Sequence, residues 1–209
     1  AAALLARDDE PIDLLINNAG LGGMSGMTPD GYETHFGVNH LGPFLFTLLV
    51  LDRVKASSAP RIVNVASKAH YKAKPNGIDW DAQTQKTATV GGFAEYCVSK
   101  LCNVLFANEL HRRYFDKGLS ACSLHPGNLV TTDIGRGSLL MRLGMLLASP
   151  FTKNANQGAA TTVVCALHPD RAAISGEYYS HCQPKRPSQE SQDEAVAERL
   201  WRMSEDWVA

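Results

Sequence analysis

Ile12-Asp13-Leu14-Leu15-Ile16-Asn17-Asn18-Ala19-Gly20 is the stretch that decides the fold. Its first five residues are apolar except Asp13, and the run stops at two amides and two small residues. An apolar run of this length without strict alternation reads as a strand covered on both faces, as in a parallel sheet. Two further stretches repeat the pattern. Arg61-Ile62-Val63-Asn64-Val65-Ala66 ends at Ser67, and Leu119 to His125 is stopped by Pro126-Gly127. Between them, residues near Phe93 to Tyr114 carry Val98, Leu101, Leu105 and Leu110 at helical core spacings. Strands alternating with helices imply right-handed crossovers and a parallel sheet. The expected class is therefore α/β, a Rossmann-like doubly wound parallel sheet.

Working outward, Thr28-Pro29-Asp30 offers an N-cap with Pro in the first turn, opening a helix that runs into Leu45–Val54 and kinks at Pro43. Tyr71 to Gly92 is polar and without period, a long excursion of the kind that often carries function. Asn128 to Ser149 is apolar and punctuated by glycine, which suits a lid bearing Leu139, Leu140, Met141, Leu143, Met145 and Leu146. Gln157 to Leu167 reads as a helix and Gly176 to Ser180 as a short last strand. Ser191-x-x-Glu194 forms a capping box for a final helix with Leu200, Trp201 and Trp207. Residues 1–209 make one domain, with no repeat or linker.

The 209 residues are 44% hydrophobic and 20% charged, an ordinary globular composition. A net charge of −1 gives no electrostatic reason to expect nucleic acid or an anionic membrane as partner. The five cysteines are scattered, with no C-x-x-C pair, which fits reduced thiols inside the cell. The opening ten residues lack an initiating Met, a basic region and the apolar length of a signal peptide. Leu41 to Val54 is interrupted by Pro43, Thr47, Asp52 and Arg53, so it does not read as a membrane span. No G-x-S-x-G elbow accompanies Ser67 and His70, and the seven histidines show no metal-ligand spacing. His35 and His40 read as packing or capping residues.

Chemistry enters at Tyr96 and Lys100. Positions i and i+4 of a helix lie on one face, so the ammonium is expected beside the phenol, lowering its pKa by about 1–3 units. That shift brings a tyrosine toward the range where general acid/base catalysis works. Ser67 sits at the carboxyl end of a strand, and Asn18-Ala19-Gly20 and Pro126-Gly127 end two others. Open α/β sheets place their ligands along that edge.

At this point the sequence resembles the short-chain dehydrogenase/reductase family. The carriers, in order, are N-N-A-G at Asn17–Gly20, V-N-H-L-G at Val38–Gly42, I-V-N-V-A-S at Ile62–Ser67, Y-C-V-S-K at Tyr96–Lys100 and H-P-G at His125–Gly127. The resemblance is strongest to its retinol-dehydrogenase and WW-domain-containing-oxidoreductase branch, through Ser99–Arg113, Pro150–Lys153, Gln157–Val163 and Glu198–Trp201. It implies an NAD(P)-dependent interconversion of an alcohol and a carbonyl on a lipophilic, retinoid- or steroid-like substrate. Tyr96 would be the acid/base, Lys100 would lower its pKa and hold the nicotinamide ribose, and Ser67 would hydrogen-bond the reacting oxygen. Asn39 would hold a water in a proton relay to Lys100. Asn18, Ala19, Gly20, Pro126, Gly127, Leu129 and Thr131, with Tyr96 and Lys100, would line the cofactor. NADP or NAD would serve, NADP being slightly favoured by the resemblance. The wide separation of Ser67 and Tyr96 matches an insertion in the same branch. The family also implies a possible homodimer, a cytoplasmic or organelle-surface location, and membrane attachment only through a segment outside this chain.

The family's Gly-rich fingerprint belongs on an earlier strand–helix turn, and residues 1–11 cannot hold it. Gly20-Leu21-Gly22-Gly23-Met24-Ser25-Gly26 fails G-x-G-x-x-G because Ser25 takes the last position. The expectation is a truncated sheet in which the Ile12–Ile16 run becomes an edge, in part of a longer enzyme. The alternative is a non-catalytic remnant or interaction module of the same fold, for which Tyr96→Phe would change nothing.

Overall fold

The three apolar runs become neighbouring strands in a computed structural model that describes residues 2–6, 10–74, 77–127 and 155–209. β1 (Leu14–Asn17), β2 (Arg61–Val65) and β3 (Ser120–His125) pair in parallel, and β4 (Tyr178–Ser180) extends the sheet in the same direction. A two-residue strand, β5 (Gln183–Pro184), pairs antiparallel with β4 and completes the order β1-β2-β3-β4-β5. Register sets Asn17 opposite Asn64 and Val65 opposite Leu124, so the segments after the parallel strands all leave along one edge. This is the parallel-sheet, Rossmann-like α/β fold that the strand pattern predicts.

Among the described residues, six helices flank the sheet: α1 (Ala2–Leu5), α2 (Thr34–Lys55), α3 (Phe93–Tyr114), α4 (Ala155–Leu167), α5 (Arg171–Ile174) and α6 (Glu194–Val208). On one face, Phe44, Val50 and Val54 of α2, Phe106 and Leu110 of α3 and Trp201 of α6 pack with Ile62 and Ala121. On the other, Val63, Val65, Cys122 and Leu124 meet Cys165 of α4 and Ile174 of α5. Residues of β2 and β3 are buried throughout, as twice-covered strands must be. β1 is not. Ile16 is 37% exposed, and among the described residues β2 is the only strand beside it, so the run forms the sheet edge expected of it.

Local caps depart from the sequence reading. α2 is capped by Glu33, whose carboxylate accepts the Phe36 N–H at 2.9 Å, and Thr28 instead closes a turn by accepting the Tyr32 N–H at 3.2 Å. Pro43 does not end the helix, which widens into a π segment just before it, Gly37–Leu41, and continues as α-helix over Gly42–Lys55. Pro43 has no N–H to offer the Asn39 carbonyl four residues back, and that carbonyl accepts from Asn103 Nδ2 at 2.7 Å instead. At α6 the capping box does not form. Asp193 accepts the Val196 N–H at 3.1 Å, while the Ser191 hydroxyl donates to the Ser188 carbonyl at 2.7 Å.

The excursion before α3 holds three short turns, Lys68–Lys72, Asp81–Thr84 and Val90–Gly92. The last helix ties it down: the Arg199 guanidinium lies 4.6 Å from the Trp80 ring centroid. All five cysteines are free thiols.

Candidate active site at the carboxyl edge of the sheet

Ser67 leaves β2 in an extended conformation and caps the turn that follows, its hydroxyl accepting the Ala69 N–H at 3.2 Å. Behind it stands His70, fully buried, whose Nδ1–H donates to the Ser67 carbonyl at 2.6 Å while Nε2 accepts the Ser188 N–H at 3.1 Å. Both ring nitrogens are thus committed, and burial holds the imidazole below its usual pKa. His70 is a brace for Ser67, which answers the question of a Ser–His hydrolase pair: its accepting nitrogen faces the backbone of Ser188 rather than the Ser67 hydroxyl.

Tyr96 lies in the first turn of α3, near enough to the Ser67 side chain for Ser67 to draw the phenol's pKa down. Lys100, one turn on, is 6% exposed; its Nζ stands 5.8 Å from the Tyr96 ring centroid and donates to the Val65 carbonyl at 3.1 Å. Burial lowers the Lys100 pKa to about 8. The expected depression of the Tyr96 pKa by Lys100 is not what the structure shows. Burial pushes the phenol above its ordinary value, and Ser67 offsets this only partly. The ammonium is directed at a backbone carbonyl over the ring face, so its charge acts weakly on the phenol oxygen.

Asn39 sits in the π segment and grips the loop after β1. Its Oδ1 accepts the Leu21 N–H at 2.8 Å, and its Nδ2 donates to the Leu21 carbonyl at 3.0 Å and to Ser99 Oγ at 2.9 Å. Ser99 in turn donates to the Tyr96 carbonyl at 2.8 Å. Both amide atoms and the backbone carbonyl of Asn39 are therefore bonded to protein, which ties the loop after β1 to α2 and α3.

Asn18, Ala19 and Gly20 are exposed along the edge. A Cβ at Gly20 would come within 3.0 Å of Asn39 Oδ1 and 3.4 Å of Lys100 Nζ. Glycine there keeps the loop backbone close to both polar groups without a side chain crowding them. Pro126 and Gly127 follow β3 on the same edge, where His125 Nδ1 accepts the Lys68 N–H at 3.3 Å. Leu129, Thr131 and the lid stretch Leu139–Leu146 lie outside the described residues. A cavity of about 430 Å³ between α3 and the start of α6, lined by residues such as Glu109, His111 and Glu194, includes none of these groups.

Sequence reasoning missed the support underneath. Asn17 Nδ2 donates to Asn64 Oδ1 at 2.9 Å, Asn64 Nδ2 to the Asn103 carbonyl at 3.4 Å, and Asn103 Nδ2 to the Asn39 carbonyl. Four amides thus link β1, β2, α3 and α2. The available signal was the recurrence of asparagine inside otherwise apolar runs.

The short chain dehydrogenase family profile matches residues 2–82. Human retinol dehydrogenase 12 is 42% identical over 198 residues, covering 94% of this chain and 61% of that protein. The WW domain-containing oxidoreductase of Pongo abelii is 38% identical over 200 residues, covering 93% of this chain and 48% of that protein. Along most of its length the chain is thus similar to short-chain dehydrogenases. It spans about three fifths of the length of the retinol dehydrogenase and about half that of the WW domain-containing oxidoreductase. Among solved structures, an uncharacterized protein from Mycobacterium Paratuberculosis superposes with a TM-score of 0.73 at 28% identity, covering 98% of this chain and 69% of that one. Ser67, Tyr96, Lys100 and Asn39 stand together at one edge of the sheet.

Proposed function

We propose that the chain carries the proton-transfer half of an NAD(P)-dependent oxidoreductase that interconverts an alcohol and a carbonyl on a lipophilic substrate. The observation that carries this reading is the meeting of Tyr96 and Ser67 at the sheet edge, where Ser67 draws the phenol's pKa down, with Lys100 and the Gly20 notch beside them. Tyr96 gives its proton to the carbonyl oxygen in reduction and takes one from the hydroxyl in oxidation. Ser67 donates to the same oxygen as charge develops on it, already oriented by Ala69 and His70. Lys100 would hold the nicotinamide ribose and the Asn18–Gly20 loop would line the cofactor, which when bound would supply or accept the hydride. NADP is favoured over NAD by the resemblance to the retinol dehydrogenase branch. Exposed Met24, Met27, Val90 and Phe93 surround the approach to the first turn of α3 and suit an apolar substrate.

The test is a titration of the purified chain with NADPH and NADH, followed by nicotinamide fluorescence, together with turnover of Tyr96→Phe. The expected result is saturable binding retained in Tyr96→Phe, with turnover reduced roughly 10²–10⁴-fold. Folded protein that binds neither nucleotide would overturn the reading in favour of a non-catalytic member of the fold.

A further inference from the structure

Glu33 caps α2, and His35, two residues on, is buried against Tyr96. The chain enters α3 through Gly91 and Gly92, both at positive φ (68° and 65°). A Cβ on Gly92 would stand 2.2 Å from His35 Cε1 and 2.4 Å from the Met24 carbonyl oxygen. The imidazole therefore fills the notch that the missing side chain leaves at the helix entry. It also meets the Tyr96 ring edge-on, with centroids 6.0 Å apart and planes at 72°.

The ring is held there by Glu33, itself 1% exposed. The Glu33 carboxylate takes the His35 Nδ1–H at 3.0 Å, the Phe36 N–H at 2.9 Å and the Thr87 hydroxyl at 2.6 Å. Burial alone would raise the carboxyl pKa; these donors outweigh it and keep the group ionised below its usual range. An ionised acceptor fixes a proton on Nδ1 and with it the orientation of the ring. His35 Nε2 is buried and has no partner among the described residues. A buried nitrogen without a partner gives up its hydration with no hydrogen bond in return, so the ring is not there for that nitrogen's own stability. Thr87 accepts the Gly26 N–H at 2.9 Å, so the same cluster joins the loop after β1 to the segment leading into α3.

We infer that His35, held by Glu33, is a positioning residue for Tyr96: its ring edge and its contact with Gly92 set the tilt at which the first turn of α3 presents the phenol to Ser67. This rests on the acid/base role proposed for Tyr96. Lys100, Ser67 and the neighbouring Cys97 are the other polar or titratable groups that bear on that phenol.

The full chain labelled at tyrosine Cζ, with the Tyr96 signal assigned through Tyr96→Phe, provides the readout. In His35→Asn the Tyr96 signal moves while the other tyrosine signals stay. With turnover measurable, kcat falls by about 10–100-fold with KM little changed, the signature of a misplaced reacting group. Glu33→Ala behaves alike, and the conservative Glu33→Gln, which keeps an acceptor for His35, restores most of the loss. An unmoved Tyr96 signal in folded His35→Asn overturns the inference, as does a kcat loss that Glu33→Gln does not relieve. Should His35→Asn fail to fold, Thr87→Val at the rim of the cluster takes its place: a shifted Tyr96 signal supports the positioning role and an unmoved one overturns it. A wild-type chain without turnover counts against the proposed reaction alone, because the Tyr96 signal still decides the positioning.

Discussion

Asn39 and His40 are chain neighbours in one π segment, and they enter two regions that solve burial in opposite ways. Asn39 joins the amide chain under the site, where Asn17, Asn64 and Asn103 pass hydrogen bonds from strand to helix. His40 enters a nest of rings, with Phe36, Phe44 and Phe106 at centroid distances of 5.1, 5.8 and 5.9 Å. The amide region gains from hydrogen bonds between particular partners, and it carries an orphan of its own: Asn103 Oδ1 is buried without a partner among the described residues. The ring region gains from contact area and tolerates imperfect pairing: His40 Nδ1 and Trp201 Nε1 are both buried without a partner among the described residues. Precision is concentrated where Tyr96 and Lys100 must be placed, and adhesion where α2, α3 and α6 must merely stay together.

Each region also holds a base that burial disfavours in its charged form, and pH separates them. His40 is held to about 3 by burial alone, against 6.5 when exposed. Between those values the unfolded chain binds a proton that the folded chain refuses, so stability falls as the pH drops from about 6.5 toward 3. The loss through His40 alone amounts to about 4 kcal/mol between pH ~7 and ~3.5. Denaturant melts of His40→Leu should lack this acid slope while losing the 2.8 Å bond to Ser204 at all pH values. Equal acid slopes in the two proteins would break the contrast.

Lys100 sharpens it from the alkaline side. With a folded pKa of about 8 against 10.5, its contribution is fully present only above the higher value and is lost as the pH falls toward the lower one. Wild type should therefore gain about 3 kcal/mol on Lys100→Met between pH ~7 and ~10.5, read by paired melts. Asn39→Ala is the smallest of the three in stability, about 2 kcal/mol, since water can reach part of the Leu21 loop it releases. Its mark is specificity rather than size: faster amide exchange at Leu21 with the core of α3 unchanged. Loss of protection throughout α3 instead would merge the two regions into one.

What the sequence disclosed follows the same division. β2, β3 and α3 were legible because apolar runs and helical spacing are local signals, and Tyr96 with Lys100 because four residues make one turn. The start of α2 was misplaced since Thr28 offers a better textual cap than Glu33, whose carboxylate is recruited by His35 and Thr87 as well as Phe36. β5 was unreadable: His181 and Cys182 form its turn at positive φ without a glycine to advertise it. The amide chain was hidden for a different reason. Its contacts join residues 39 to 64 positions apart, and no window of sequence holds both partners. The effect of Lys100 on Tyr96 was misjudged because helical spacing gives proximity but not the direction of the ammonium, which Val65 claims.

The π segment Gly37–Leu41 makes the register of α2 a matter of length. Deleting one residue there would let the backbone close into ordinary α-helix, removing one step of about 100° from everything upstream. Glu33 and His35 would swing away from Tyr96 while Phe44 and Val50 kept their places in the core. A one-residue gap in this stretch is thus a heavier change than most substitutions, because it would leave a folded helix delivering the right side chains to the wrong side of the protein.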